Sequence, residues 1–338
     1  MSPMARVHRR AAWLGLALLA ASGLLLGIGA GVGAAGFADL GAAVRDPATW
    51  QIVLDIRLPR TLGAWLAGAL LGLAGAVAQG LFRNPLADPF LLGSASGASL
   101  GVALALALFG INPMAVNWLA TLGLTGAAFI GAMAAVLLTL TLARGVQHTL
   151  RLLLAGVIVG VVLGALGSLV TLLVPETLSA MQAFMLGSTG FIGWPACGPM
   201  AAAFLLCLVA AWIVSPVLDG LTLGEATARS LGLPLGPLRL ALVAVMALAT
   251  GAAVAQTGLI AFVGLAAPHL VRSVVKTTHA RLVALSALAG GVLLLAADLL
   301  ARALIAPQEL PVGVLTAVLG GGYLLWLMHR GRSAKGAA

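Results

Sequence analysis

Few side chains in this sequence are ionisable or nucleophilic, and their spacing limits what chemistry they can do. In "LLLAADLLARAL" Asp298 and Arg302 stand four apart, which puts both on one face of a helix. A carboxylate in an apolar run can belong to a proton path; it can equally be neutralised by its own arginine. "GSASGAS" (Gly93 to Ser99) and His269 supply the residue types of a Ser/His nucleophile pair. Runs of Ser, Ala and Gly are also common helix-packing surface in lipid. A P-loop needs Gly-Lys-Ser/Thr, but Lys276 follows Val275 and Lys335 follows Ala334, so nucleotide hydrolysis would belong to another chain. Cys197 and Cys207, on one apolar segment, lie about 15 Å apart along a helix and cannot bridge. Neither joins a His/Cys cluster. No catalytic residue, metal site or cofactor is expected.

The densest polar stretch is "TLGEATARSLGLP", Thr222 to Pro234. Thr222 and Glu225 have the spacing of a capping box, Glu225 and Arg229 form an i,i+4 pair in the favourable order, and Gly232 then Pro234 supply a stop. This predicts a short helix within 222–233, with Leu223, Ala226, Thr227 and Leu231 as a semi-apolar face. The alternative is a plain surface loop.

The elements that carry these residues follow from composition. The chain has 338 residues, 62% hydrophobic and 8% charged, with a mean hydropathy of +1.14. A soluble domain carries roughly 25% charge, so lipid is the solvent and apolar runs of about 20 residues are spans. We read one all-α, polytopic membrane domain over residues 1–338. Ten spans are expected, at 12–33, 58–81, 91–110, 117–142, 152–174, 195–216, 238–257, 261–276, 282–305 and 313–329, between tails 1–11 and 330–338. Residues 178–190 are too short and interrupted to span. With the N-terminus inside, fourteen of the eighteen Lys and Arg fall on the cytoplasmic side, the exceptions being Arg45, Arg57, Arg60 and Arg302. Counting 178–190 as an eleventh span would leave seven inside against eleven outside. The net charge of +9 lies in short loops rather than on one face, which argues against nucleic acid. The basic start and apolar run from Ala11 to Ala35 exceed a signal-peptide core and read as an uncleaved first span. "GVIVGVVLG" lays Gly156, Gly160 and Gly164 along one face of the fifth span, for packing within the chain or a dimer seam. "RNPLADP" (Arg83 to Pro89) and "APQELPVG" (Ala306 to Gly313) make stiff loops.

"RLPRTLGAWLAGALLGLAGAVAQGLFRNPLADPFLLG" (57–93), "LRLLLAG" (150–156), "LGEATARSLGLPLG" (223–236), "GLIAFVGLAAPHLVR" (258–272) and "LLAADLLARALIAPQELPVGVLTA" (294–317) together resemble the permeases that import ferric siderophores, haem and cobalamin, the membrane subunits of type II ABC importers. The resemblance implies ten spans per subunit in the bacterial inner membrane, both termini cytoplasmic, and a homodimer with the path on its two-fold axis. It implies two ATPase subunits below and a periplasmic substrate-binding protein above. It makes 222–233 the coupling helix, with Leu223, Gly224, Glu225, Ala228 and Arg229 meeting the ATPase. Asn84, Leu86 and Thr149 correspond to the inner gate, and residues 178–187 to a short helix outside the fifth span. Arg57, Arg60 and Arg302 correspond to arginines that receive glutamates of the binding protein. Gly322 stands where relatives often carry proline. An iron chelate is favoured over cobalamin as cargo. A proton-coupled carrier using Asp298 is the alternative.

Overall fold

Every expected span has a helix at its position in the computed structural model, which describes residues 3–33, 36–37, 46–109, 118–143 and 149–335. Helix α1 (Pro3–Gly31) absorbs most of the expected N-terminal tail and is followed by a two-residue antiparallel pairing of Val32–Gly33 with Gly36–Phe37. α2 (Pro47–Ile52) opens on Asp46, whose carboxylate accepts the Ala48 and Thr49 amides, and continues through a π-turn (Val53–Arg57) into α3 (Leu58–Leu81). This extension is absent from the expected span at 58–81, because Asp55 and Arg57 break the apolar run. Then come α4 (Ser94–Phe109), α5 (Trp118–Leu142), α6 (Thr149–Leu173) and the short α7 (Leu178–Leu186). α8 (Trp194–Thr222) runs through Pro199 and Pro216, six residues beyond the expected end. α9 (Glu225–Ser230), α10 (Leu235–Thr257), α11 (Val263–Val274), α12 (His279–Ala303) and α13 (Val312–Lys335) complete the order, the last absorbing most of the expected C-terminal tail.

Among the described residues seven helices are long and apolar enough to cross a membrane, and α4 and the Val312–Trp326 part of α13 are shorter apolar helices. α7, at nine residues, does not span. α11 has only twelve. A non-helical strap, 258–262, with Gly258 and Phe262 at positive φ, precedes it, and strap plus helix reach at most roughly 34 Å. Backbone inside a membrane must be satisfied internally. The Leu259 amide donates to Phe184 O at 3.0 Å and the Ser188 amide to Thr257 O at 2.8 Å, pinning the strap to the end of α7.

The centre is α3, whose apolar window is 89% buried. Its glycines permit backbone contact with α12 and α11: a Cβ on Gly72 would sit 2.2 Å from Ser286 O, and one on Gly75 1.6 Å from Gly264 O. With no hydrophobic force between helices in lipid, such close approach supplies the attraction. α6, in contrast, has only 17% of its window buried. Gly156 packs on the Leu91 carbonyl, which bears out packing within the chain at that position. Cys197 and Cys207 are buried free thiols, as expected.

Candidate functional site

The polar residues gather at the two ends of the bundle, here called the α9 end and the α7 end. At the α9 end Thr222 closes α8, its hydroxyl donating back to Asp219 O at 2.6 Å. The chain turns at Gly224, whose φ of 100° suits glycine, and α9 begins at Glu225. The capping box therefore does not form. Thr222 is still inside the preceding helix, and the Glu225 carboxylate is drawn away by full charges. Its Oε1 lies 2.6 Å from Nη2 of Arg239, in the second turn of α10, and its Oε2 3.7 Å from Nη2 of Arg229. The expected Glu225–Arg229 pair is present, but Arg239 holds the shorter bond. Burial pushes the Glu225 carboxyl up; the hydrogen bond and charge of Arg239, with the charges of Arg83 and Arg229, outweigh it and leave the group below its ordinary range. α9 ends in a Schellman arrangement, with the Leu233 amide on Ala228 O, the Gly232 amide on Arg229 O, and Gly232 at φ 77°. Ala228 is buried, whereas Leu223, Arg229 and Leu231 are each more than 60% exposed. The helix thus shows solvent an apolar–cationic face.

Beside it runs the loop after α3. Asn84 Oδ1 accepts the Leu86 amide at 2.9 Å and Asp88 Oδ1 accepts the Phe90 amide at 2.8 Å, capping a 3-10 turn, Pro89–Leu92. Asn84 and Leu86 are exposed; the Thr149 side chain lies outside the described residues. Burial raises the Asp88 carboxyl, partly offset by the Phe90 amide. Further bonds beneath this end were not expected from sequence. Gln79 donates to Leu265 O at 3.1 Å and accepts from Arg272, and Asp219 faces Nδ1 of His279 at 2.7 Å. Each joins residues about sixty or more positions apart, so no local pattern announces it.

At the α7 end Asp298 is fully buried and meets three donors: Arg302, Arg60 at 3.2 Å, and the Thr189 hydroxyl. Arg60 also reaches Glu309 at 2.8 Å. Arg302 further contacts Thr61 Oγ1 and Val32 O, each at 3.4 Å, and Arg57 donates to Gly31 O at 2.8 Å. Two arginines and two carboxylates make a neutral cluster. Of the three arginines expected to dock a binding protein, Arg302 has its side chain 1% exposed and paired inward with Asp298. Arg60 is 12% exposed and Arg57 half-buried. The same cluster weakens the case for a proton relay at Asp298, because the carboxylate is held by two guanidinium groups and a hydroxyl.

Between α4, α6 and α7 lies a cavity of about 740 Å³, whose lining includes Ser96, Ser99, Ser168, Thr171, Gln182 and Met185. Two of the three serines of "GSASGAS", Ser96 and Ser99, thus face a cavity while Ser94 is buried, and His269 stacks edge-on against Tyr323 and is not in the cavity lining. Among the described residues no His/Cys/Asp/Glu group could hold a metal.

Comparison with known proteins accords with this arrangement. The FecCD transport family profile matches residues 17–330. The hemin transport system permease protein HmuU of Yersinia pestis is 40% identical over 293 residues, 86% of each chain. The vitamin B12 import system permease protein BtuC of Salmonella paratyphi A is 41% identical over 325 residues, 95% of this chain and 96% of that one. A solved metal-chelate type ABC transporter in an inward-facing conformation superposes with a TM-score of 0.84 at 30% identity, covering 94% of this chain and 98% of that one. A polytopic helical chain with no nucleotide-binding loop, alike over nearly its whole length to such permeases, belongs to the FecCD transport family, as the membrane subunit of an ABC importer whose ATPase is a separate chain.

Proposed function

We propose that this permease imports an iron chelate, haem or a ferric siderophore, delivered by a periplasmic binding protein and driven by two ATPase subunits beneath a homodimer. The observation that carries the ATP-driven reading is α9, a short helix held on the bundle with Leu223, Arg229 and Leu231 turned outward. With Gly224, Glu225 and Ala228 fixing its seat, this face suits a cleft on a cytoplasmic ATPase. Both termini are then cytoplasmic and the α7 end is periplasmic, where Arg57 and Arg60 receive acidic side chains of the binding protein and Arg302 fixes Arg60 from behind through Asp298. Asn84, Leu86 and Thr149 form the inner gate.

The cavity beside α6 is this chain's share of the path. Its described lining mixes hydroxyls, an amide and thioethers with apolar carbons and includes no charged side chain. That suits a chelate whose metal stays wrapped by its own ligands. The hemin permease relative is what supports haem as cargo, and the equally similar vitamin B12 permease makes cobalamin the competing cargo. The test is to co-purify the importer with its binding protein, record the absorbance of the bound ligand, and follow its uptake into ATP-loaded proteoliposomes. A haem or ferric-siderophore spectrum with ATP-dependent uptake is expected. A cobalamin spectrum would overturn the cargo, and uptake by the permease alone on a proton gradient would overturn the mechanism.

A further inference from the structure

α9 is too short to be stable by itself, and both its ends are glycine hinges at positive φ, Gly224 and Gly232. A helix hinged at both ends transmits a displacement only if something stiffens its seat. Ala228 buries one methyl beneath it. A charged link is the bond that Arg239 donates to Glu225 at 2.6 Å. Arg239 lies on α10, its side chain 2% exposed, on the helix that also buries Leu235, Leu242 and Val243. A charge-assisted bond this short, from an enclosed guanidinium, is a strong one, so the pair holds as α9 is displaced.

What α10 does with that displacement follows from its other end. The helix is 23 residues long, roughly 34 Å. It leads at Gly258 into the strap bonded to α7, where Leu259 both donates to Phe184 O and lines the cavity. One rod therefore connects the seat of α9 with the rim of the cavity.

We propose that Arg239 is a positioning residue of the transport cycle: by clamping Glu225 it locks α9 to α10, so that a push on α9 moves α10 as a unit and shifts Leu259 and α7 at the cavity. Arg229, 3.7 Å from Glu225 and 62% exposed, belongs to the outer face instead. The inference rests on α9 being the helix that meets the ATPase.

The experiment uses the assembled importer in proteoliposomes, with hydrolysis and uptake measured in the same vesicles. Arg239→Gln and Glu225→Gln are each expected to lower molecules imported per ATP by about tenfold, within the range of coupling between distant sites. A role confined to folding would lower both rates together and leave the ratio intact. The reversed pair, Glu225→Arg with Arg239→Glu, should recover much of the ratio lost by either reversal alone. If Arg239→Gln does not accumulate in membranes, Glu225→Gln, at a carboxylate 29% exposed, carries the same test. An unchanged ratio in the Gln variants, or no recovery in the reversed pair, overturns the role of Arg239. Leu223→Glu with Arg229→Glu serves as control. If that variant still captures the ATPase normally, the reading of α9 itself fails; if it loses the ATPase while the Gln variants keep their ratio, the Arg239 proposal alone falls.

Discussion

Replacing Asp298 by asparagine should be among the most damaging isosteric changes in this protein. The carboxylate is 0% exposed and accepts from Arg60, Arg302 and Thr189. Asparagine keeps the shape and one acceptor oxygen but removes the charge, leaving Arg302 enclosed with Glu309 as the cluster's remaining acid. Removing one partner of a buried pair costs about 3–5 kcal/mol. The amide oxygen recovers one ordinary hydrogen bond, about 1 kcal/mol. The net expectation is a loss of about 2–4 kcal/mol, roughly thirty- to a thousand-fold in the folding equilibrium.

The comparison variants rank the terms. Glu309→Gln, at a side chain 28% exposed, acts on a rim pair worth about 0–1 kcal/mol and should be mild. Asp298→Asn with Arg302→Gln removes both buried charges and should be clearly more stable than the sum of the singles, because the second change relieves the first. SDS-induced unfolding in mixed micelles, followed by tryptophan fluorescence, gives the ranking. If Asp298→Asn unfolds with the wild type, or if the double variant is simply additive, the cluster is not the neutral interior anchor described. ATP-driven uptake scaled to folded protein should survive in Asp298→Asn; its selective loss would return Asp298 to a proton path.

Two further outcomes follow. The lowered Glu225 carboxyl stabilises the seat of α9 above the ordinary glutamate value of about 4.3, and that contribution is lost as pH falls through the depressed folded value; a spin label at the exposed Ala226 should stay equally ordered from neutral pH down to that range and loosen below it, and Glu225→Gln should abolish the change. Gly75→Ala would drive a methyl to 1.6 Å from the Gly264 carbonyl, so it should eliminate monodisperse protein in gel filtration, while Gly322→Ala, where no atom lies within 4 Å, should be neutral or stabilising.

The spans were legible because lipid demands long apolar runs, and Gly232 announced the end of α9 because the Schellman turn demands φ above zero. Asp298 with Arg302 was legible as a local pair. Its completion by Arg60 and Thr189 was not, since those partners lie 238 and 109 positions away. The capping box failed for a related reason: the Thr222–Glu225 spacing is right, but the register of α8 decides whether Thr222 has left its helix. Arg239 looked like one more cytoplasmic base. Only the fold shows that α10 carries it inward against Glu225. The burial of Arg302 was hidden by the same gap, because a count of charges across a membrane says which end a residue occupies and nothing about its depth in the protein.

That distribution of charge constrains the mechanism. At the α7 end Asp298 and Glu309 are paired with Arg60 and Arg302, and Arg57 donates to a backbone carbonyl; at the α9 end Glu225 is held between two arginines. The cavity between the ends has no charged side chain in its described lining. If this cavity is the proposed path, a wall of this kind offers a chelate little that could bind it tightly or change its charge state, and neither affinity nor a proton step comes from it. Directional transport must come from changing which end of the cavity is open. The tightly packed α3, with its glycine contacts to α11 and α12, is poorly suited to that change, because its backbones already touch. α6 has little of its surface buried, and α7 is tied to α10 through the strap. Motion entering at α9 and leaving at α7 can therefore reshape the cavity while the central helices stay packed, which is what a permease driven by a separate ATPase requires.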